Sequence, residues 1–193
     1  MVPGRFRSVQ FIALVFALLV VQRNAVAQSF SAHTDFSMGG IGYKTIFADF
    51  NGDGKPDVAA PGNRAGSIFL NTTTPGATAP TFSTRVDLST SMDSRGIAVG
   101  DLNGDGLPDV VMVNTLTYYD ETYGTTMSIF LNTTTPGATT PTFSSKTDFT
   151  TNAYPYDAVV SRVFCGHPDS LLVGIRHTES RSVRSSRLLF IGI

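Results

Sequence analysis

The chain of 193 residues contains no tryptophan and a single cysteine, Cys165. One thiol excludes an intramolecular disulfide, so no covalent staple can hold this fold together. Charge is also scarce: 15% of residues are charged and the net charge is −1. That balance hides an asymmetry. Residues 28–160 carry thirteen acidic and six basic side chains, whereas the segment from 161 carries five arginines against Asp169 and Glu179. An acidic body with a short basic tail argues against nucleic acid as a partner, because phosphate binding needs a basic surface. Catalytic signatures are absent too. There is no Gly-x-Ser-x-Gly, no His-Glu-x-x-His and no phosphate loop. Of the three histidines, His33 stands where equivalent positions carry Arg85 and Lys146, and His167 and His177 lie in a region of weak pattern. Beyond the N-terminus no amphipathic helical period of useful length occurs, which removes helical bundles from consideration.

Long apolar runs are likewise missing, apart from Phe11–Val21 near the N-terminus. That run of 11 residues is well short of the roughly 20 needed to cross a bilayer. Arg5 and Arg7 precede it, and Ala25-Val26-Ala27 supplies small residues before Gln28. The pattern is that of a secretory signal spanning 1–27, with cleavage expected after Ala27. The mature chain is then expected to be extracytoplasmic, with no membrane span, and about 166 residues long.

Two nine-residue segments share one grammar. The first is Asp49-Phe-Asn51-Gly-Asp53-Gly54-Lys55-Pro-Asp57, and the second is Asp101-Leu-Asn103-Gly-Asp105-Gly106-Leu107-Pro-Asp109. Side-chain oxygens fall at positions 1, 3, 5 and 9, with glycine at 6. A hard cation such as calcium takes roughly 6–8 oxygen ligands, which a short loop supplies from alternate side chains and a backbone carbonyl at position 7. The glycine takes the sharp turn that folds the loop back on itself. A pair of plain hairpin turns would explain the glycines but not the spaced oxygens. Two calcium sites are therefore expected. Position 12 is Ala60 in one loop and Met112 in the other, so neither offers a bidentate glutamate, and affinities on the order of 10⁻⁴–10⁻³ M are expected. Six of the thirteen acids sit in these loops. Their mutual repulsion opposes folding until a cation binds, which couples metal binding to folding.

The loops belong to a longer repeat. Phe30-Ser-Ala-His-Thr-Asp35 matches Phe82-Ser-Thr-Arg-Val-Asp87 and Phe143-Ser-Ser-Lys-Thr-Asp148, and Ser67–Thr81 returns almost letter for letter as Ser128–Thr142. The units are 30–81 and 82–142, with a third starting at 143. The second is longer by nine residues between Asp109 and Ser128, a segment holding Tyr118, Tyr119, Asp120, Glu121 and Tyr123. Short runs rich in β-branched and aromatic residues (Phe30–Phe36, Tyr43–Ala48, Asp57–Ala60, Ser67–Asn71) alternate with Gly, Pro, Asn and Thr. Three or four short strands per unit predict an all-β repeat such as a propeller blade. The Thr-Thr-Thr-Pro-Gly-Ala-Thr connector is expected at an exposed turn. Asn71-Thr-Thr73 and Asn132-Thr-Thr134 also fit the short glycan-acceptor pattern. From residue 161 the repeat fades: Arg162-Val-Phe-Cys165-Gly166-His167-Pro168-Asp169 keeps only Gly-x-Pro-Asp, and a Ser/Arg-rich tail follows. No third cation site is expected there.

These loops, their flanking strands and the Ser-Ile-Phe-Leu-Asn-Thr-Thr continuation resemble FG-GAP/VCBS-type repeats, the calcium-loop repeats of integrin α-chain propellers and of many secreted bacterial proteins. The resemblance covers roughly Phe30 to Asp157. It implies a partial β-propeller with a calcium ion in each loop. Asp49, Asn51, Asp53 and Asp57 would be ligands of one site and Asp101, Asn103, Asp105 and Asp109 of the other, with Lys55 and Leu107 giving backbone carbonyls. EF-hands and dockerins share the loop grammar but set it against helices and usually have an acid at position 12. The chain has too few units to close a ring of 4–8 blades, so sheet edges are expected to stay open to self-association. The implied function is a secreted calcium-binding adhesion or recognition module for a protein or carbohydrate ligand, without catalytic activity. The alternatives are an accessory part of a polysaccharide lyase or hydrolase, and a truncated repeat remnant.

Overall fold

Strand formation follows the apolar runs between the glycine- and proline-rich turns. The computed structural model describes residues 35–40, 44–116, 123–151, 155–162, 171–177 and 189–192. These all lie in one unit, Thr34–Ile193. The expected signal segment and the run from Phe30 to Thr34 lie outside the described residues, as do Tyr118, Tyr119, Asp120 and Glu121 of the insertion and residues 163–170 of the third loop.

The described residues form eleven strands and no helix. The first sheet holds β1 (Ile46–Ala48), β2 (Asp57–Pro61), β3 (Ala65–Phe69) and β4 (Val86–Ser89) in sequence order. The second repeats it with β5 (Asp93–Gly100), β6 (Asp109–Leu116), β7 (Tyr123–Phe130) and β8 (Thr147–Thr150). The third has β9 (Pro155–Arg162), β10 (Leu171–His177) and β11 (Leu189–Gly192), with β10 in the middle. Every pairing is antiparallel. The protein is thus all-β, with three small sheets, none closed on itself, as in part of a propeller.

The sheets are offset from the sequence repeat. The Phe-Ser-x-x-x-Asp run that opens the second and third units of the sequence supplies the last strand of the preceding sheet: β4 pairs with β3 and β8 with β7. A repeat has a period but no intrinsic starting point, and strand pairing chooses one. Pairing also continues past residue 161, where the similarity fades: β10 runs antiparallel to β9 from Leu171↔Arg162 and to β11 from Leu172↔Gly192.

The sheets stack through two apolar layers. Ala59, Ile68 and Leu88 of the first sheet meet Ile97, Val110 and Met112 of the second. On its other face the second sheet presents Val111, Val113, Met127 and Ile129 to Ala158, Val173 and Ile175 of the third. Strand period 2 explains the division, since alternate residues of β6 point to opposite faces. The stacking holds the β1–β2 and β5–β6 turns in place, and these are the two Asp-rich loops.

Candidate metal centre

Each loop is built by its own side chains. In the first, Asp49 accepts the Asp53 amide through Oδ1 (3.1 Å) and the Gly54 amide through Oδ2 (2.7 Å). Asn51 Oδ1 accepts the same Asp53 amide at 3.3 Å, and Asp53 Oδ1 accepts the Lys55 amide at 2.9 Å. The oxygens of positions 1 and 3 thus converge on one N–H. The second loop closes in nearly the same way, except that position 1 takes the position-4 amide and leaves the position-5 amide to position 3. Asp101 accepts the amides of Gly104 (2.7 Å) and Gly106 (3.0 Å), Asn103 Oδ1 that of Asp105 (3.1 Å), and Asp105 Oδ1 that of Leu107 (2.8 Å). Glycines at positions 4 and 6 make this possible: Gly52 and Gly54 have φ of 68° and 82°, and Gly104 and Gly106 have 79° and 87°. That is the left-handed region where a Cβ is penalised. The position-4 requirement was readable from Asn-Gly, yet only position 6 stood out in the cation grammar.

Position 9 does a different job. Asp57 and Asp109 are fully buried. Asp57 accepts the Phe50 amide (2.8 Å) and the Asn71 amide (2.7 Å), one per oxygen. Asp109 does the same for Leu102 and Asn132, both at 2.7 Å. Each carboxylate ties the loop entrance to the end of the following strand. Burial pushes both carboxyls above the ordinary value of 3.8, against the pull of the two amides, and the other loop aspartates add to the rise. Asp53 moves the other way: the Lys55 amide on its carboxylate holds it below 3.8.

The donor set of each loop is all oxygen, which suits a hard cation. Among the described residues, however, no three Asp, Glu, His or Cys side chains stand close enough together to hold a metal ion. Positions 1, 3 and 5 gather round the amides of positions 4 to 7, while position 9 is turned to the amides of position 2 and of Asn71 or Asn132. A carboxylate oxygen has lone pairs beyond the one an amide takes, so these groups retain coordinating capacity. The loops differ at position 7. Lys55 Nζ lies 3.6 Å from Asp53 Oδ2 in the first loop, where the second has Leu107.

Two asparagines outside the loops complete the architecture. Asn71 Nδ2 donates to Pro56 O and Asn132 Nδ2 to Pro108 O, each at 3.1 Å. Their Oδ1 atoms accept the amides of Thr73 and Thr134. Sequence pattern had marked both as glycan acceptors. Asn132 is 1% exposed, with its amide already engaged, so burial removes it from that role.

Sequence comparison agrees with this geometry. Residues 49–112 match the family described as FG-GAP-like repeat. This segment carries an FG-GAP-like repeat. The match runs from the first residue of the first loop through all of the second loop and into β6, about a third of the chain. No curated protein and no solved structure matches the chain.

Proposed function

We propose that the protein is a secreted, calcium-binding recognition or adhesion module without catalytic activity. The carrying observation is the pair of loops. One oxygen pattern is closed by three shared hydrogen bonds in two successive sheets, position 1 to the position-6 amide, 3 to 5 and 5 to 7, within a segment that matches an FG-GAP-like repeat. Asp49, Asn51 and Asp53, and Asp101, Asn103 and Asp105, are the side chains to hold the ions, with Lys55 and Leu107 adding carbonyls and Asp57 and Asp109 offering the lone pairs that their amide partners leave. Calcium there would neutralise the crowded carboxylates and pin adjacent strands. Export follows from the N-terminal signal pattern, and no helix among the described residues is long and apolar enough to cross a membrane. The ligand is a protein or carbohydrate, met by the loop face or the tyrosine-bearing insertion.

Calorimetric titration with calcium, followed in parallel by circular dichroism, tests the reading. Two binding events with a gain of β-structure are expected, one lost in Asp53→Ala and the other in Asp105→Ala. A flat titration, or variants that titrate like the wild type, would remove calcium from the account.

A further inference from the structure

The two connectors have nearly the same sequence and different surroundings. The second, between β7 and β8, lies against the first loop. Gly137 N–H donates to Asn51 O at 2.7 Å. Asn51 Nδ2 donates to Ala138 O at 2.8 Å, and Asn132 Nδ2 to Phe50 O at 2.9 Å. Three hydrogen bonds therefore lock the Phe50-Asn51 segment to the neighbouring unit. Asn51 is 4% exposed as a result. Its counterpart Asn103 is exposed, and its Nδ2 turns inward to Asp105 Oδ2 at 2.9 Å. Burial of the connectors follows suit. Thr134 and Pro141 are buried in the second, whereas Thr73 is half-buried and Pro80 exposed in the first.

We infer that the second connector is the positioning element of the first loop, so that cation binding at 49–57 is coupled to the junction between the first two sheets and binding at 101–109 is not. The coupling part of this inference rests on the calcium reading above; the positioning part does not. Locking the Asn51 amide nitrogen onto Ala138 O fixes where Asn51 Oδ1 points, and that oxygen is the position-3 donor. The loop is thus partly pre-organised by a neighbour, which lowers the ordering cost of binding. Linkage then requires the reverse effect: a cation that orders the loop must tighten the junction. Lys55 opposes the first site electrostatically, so the inference concerns which site responds to the connector, not which binds more tightly.

Matched substitutions test it in the full-length protein. Ala138→Pro and Ala77→Pro each remove one turn hydrogen bond of the same kind, to Thr135 O and Thr74 O. Only the former disturbs an occupied junction. Gly137→Ala and Gly76→Ala form a milder pair, since both glycines have positive φ (75° and 84°) and open space at the Cβ position. Without metal, hydrogen exchange of the Asp53–Lys55 amides is expected to quicken in the residue-137 and residue-138 variants and to stay unchanged in the residue-76 and residue-77 variants. With calcium, the first site is expected to weaken about tenfold in Ala138→Pro, the scale of one or two lost hydrogen bonds. The second site should be unaffected, and calcium should slow exchange of the Gly137 amide but not of the Gly76 amide. Equal effects of the two connectors on the first loop's exchange would overturn the positioning role. Equal effects on both calcium sites would overturn the coupling. Absence of calcium binding at both loops would end the functional reading and the coupling together, while the metal-free exchange still decides the positioning.

Discussion

Asp57 and Asp109 carry the most consequence per atom. Each is buried and serves two backbone amides that have no water to turn to. Removing the carboxylate strands both donors, at about 1–3 kcal/mol for each unsatisfied group. Asp57→Ala and Asp109→Ala should therefore each destabilise the metal-free protein by roughly 2–5 kcal/mol in urea unfolding. Asp105→Ala, at an exposed position, should stay within about 0.5 kcal/mol of wild type. The titrations have opposite signs. Burial raises Asp57 and Asp109 above 3.8, so the proton-linked part of their contribution is full below 3.8 and is lost as pH rises through their raised values, while their bonds to the amides persist. Asp53 and Asp148 lie below 3.8. The Lys55 amide lowers Asp53; for Asp148 burial pulls upward, but the Lys146 ammonium and the Ser128 hydroxyl outweigh it. Their contribution is present above 3.8 and is lost as pH falls through their lowered values. Carboxyl-carbon NMR of the metal-free protein should show Asp57 and Asp109 protonating first on acidification and Asp53 and Asp148 last.

Element by element, legibility tracked local chemistry. The Asp-rich loops and β2 and β3 stand out because glycine, proline and apolar runs mark them within a few residues. The membership of β4 and β8 did not, because a strand's partner is decided by stacking and turn geometry rather than by its own residues. The third sheet was legible only in part: the apolar run before Gly174 reads as a strand following the weak loop, but β10 pairs through its backbone and needs only apolar residues such as Val173 and Ile175 facing the second sheet, not the repeat's signature letters. The connector–loop interlock was invisible too, because its contacts join residues more than eighty positions apart. One cross-sheet contact tests the stacking directly. Gly66 of β3 lies under the Met112 side chain of β6, and a Cβ there would collide with the methionine sulfur and methyl. Gly66→Ala should destabilise the protein, and Met112→Val should restore part of the loss. A double-mutant cycle should give a coupling of about 1–2 kcal/mol, against zero if the sheets are not packed this way.

At the scale of the molecule, calcium should act as a stabiliser distributed over two loops. At about ten times a millimolar-range dissociation constant, each site adds about 1.4 kcal/mol. Two such sites should raise the melting temperature by roughly 5–10 °C for a chain of this size. Melts in millimolar calcium and in chelator measure this, and Asp53→Ala with Asp105→Ala should abolish the shift. The stack has unequal members. Phe47 on β1 is 65% exposed and Val159 on β9 is 53% exposed, each pointing away from the second sheet. The second sheet has no such outer side, since Val110, Val111, Met112 and Val113 of β6 are all fully buried, whichever way they point. It is therefore an obligate interior piece. Excised alone, or left terminal by a break after Thr150, it would open Val111, Val113, Met127 and Ile129 to water and invite aggregation. An array of this kind can grow at its flanks, but it cannot shed the third sheet without uncovering the second.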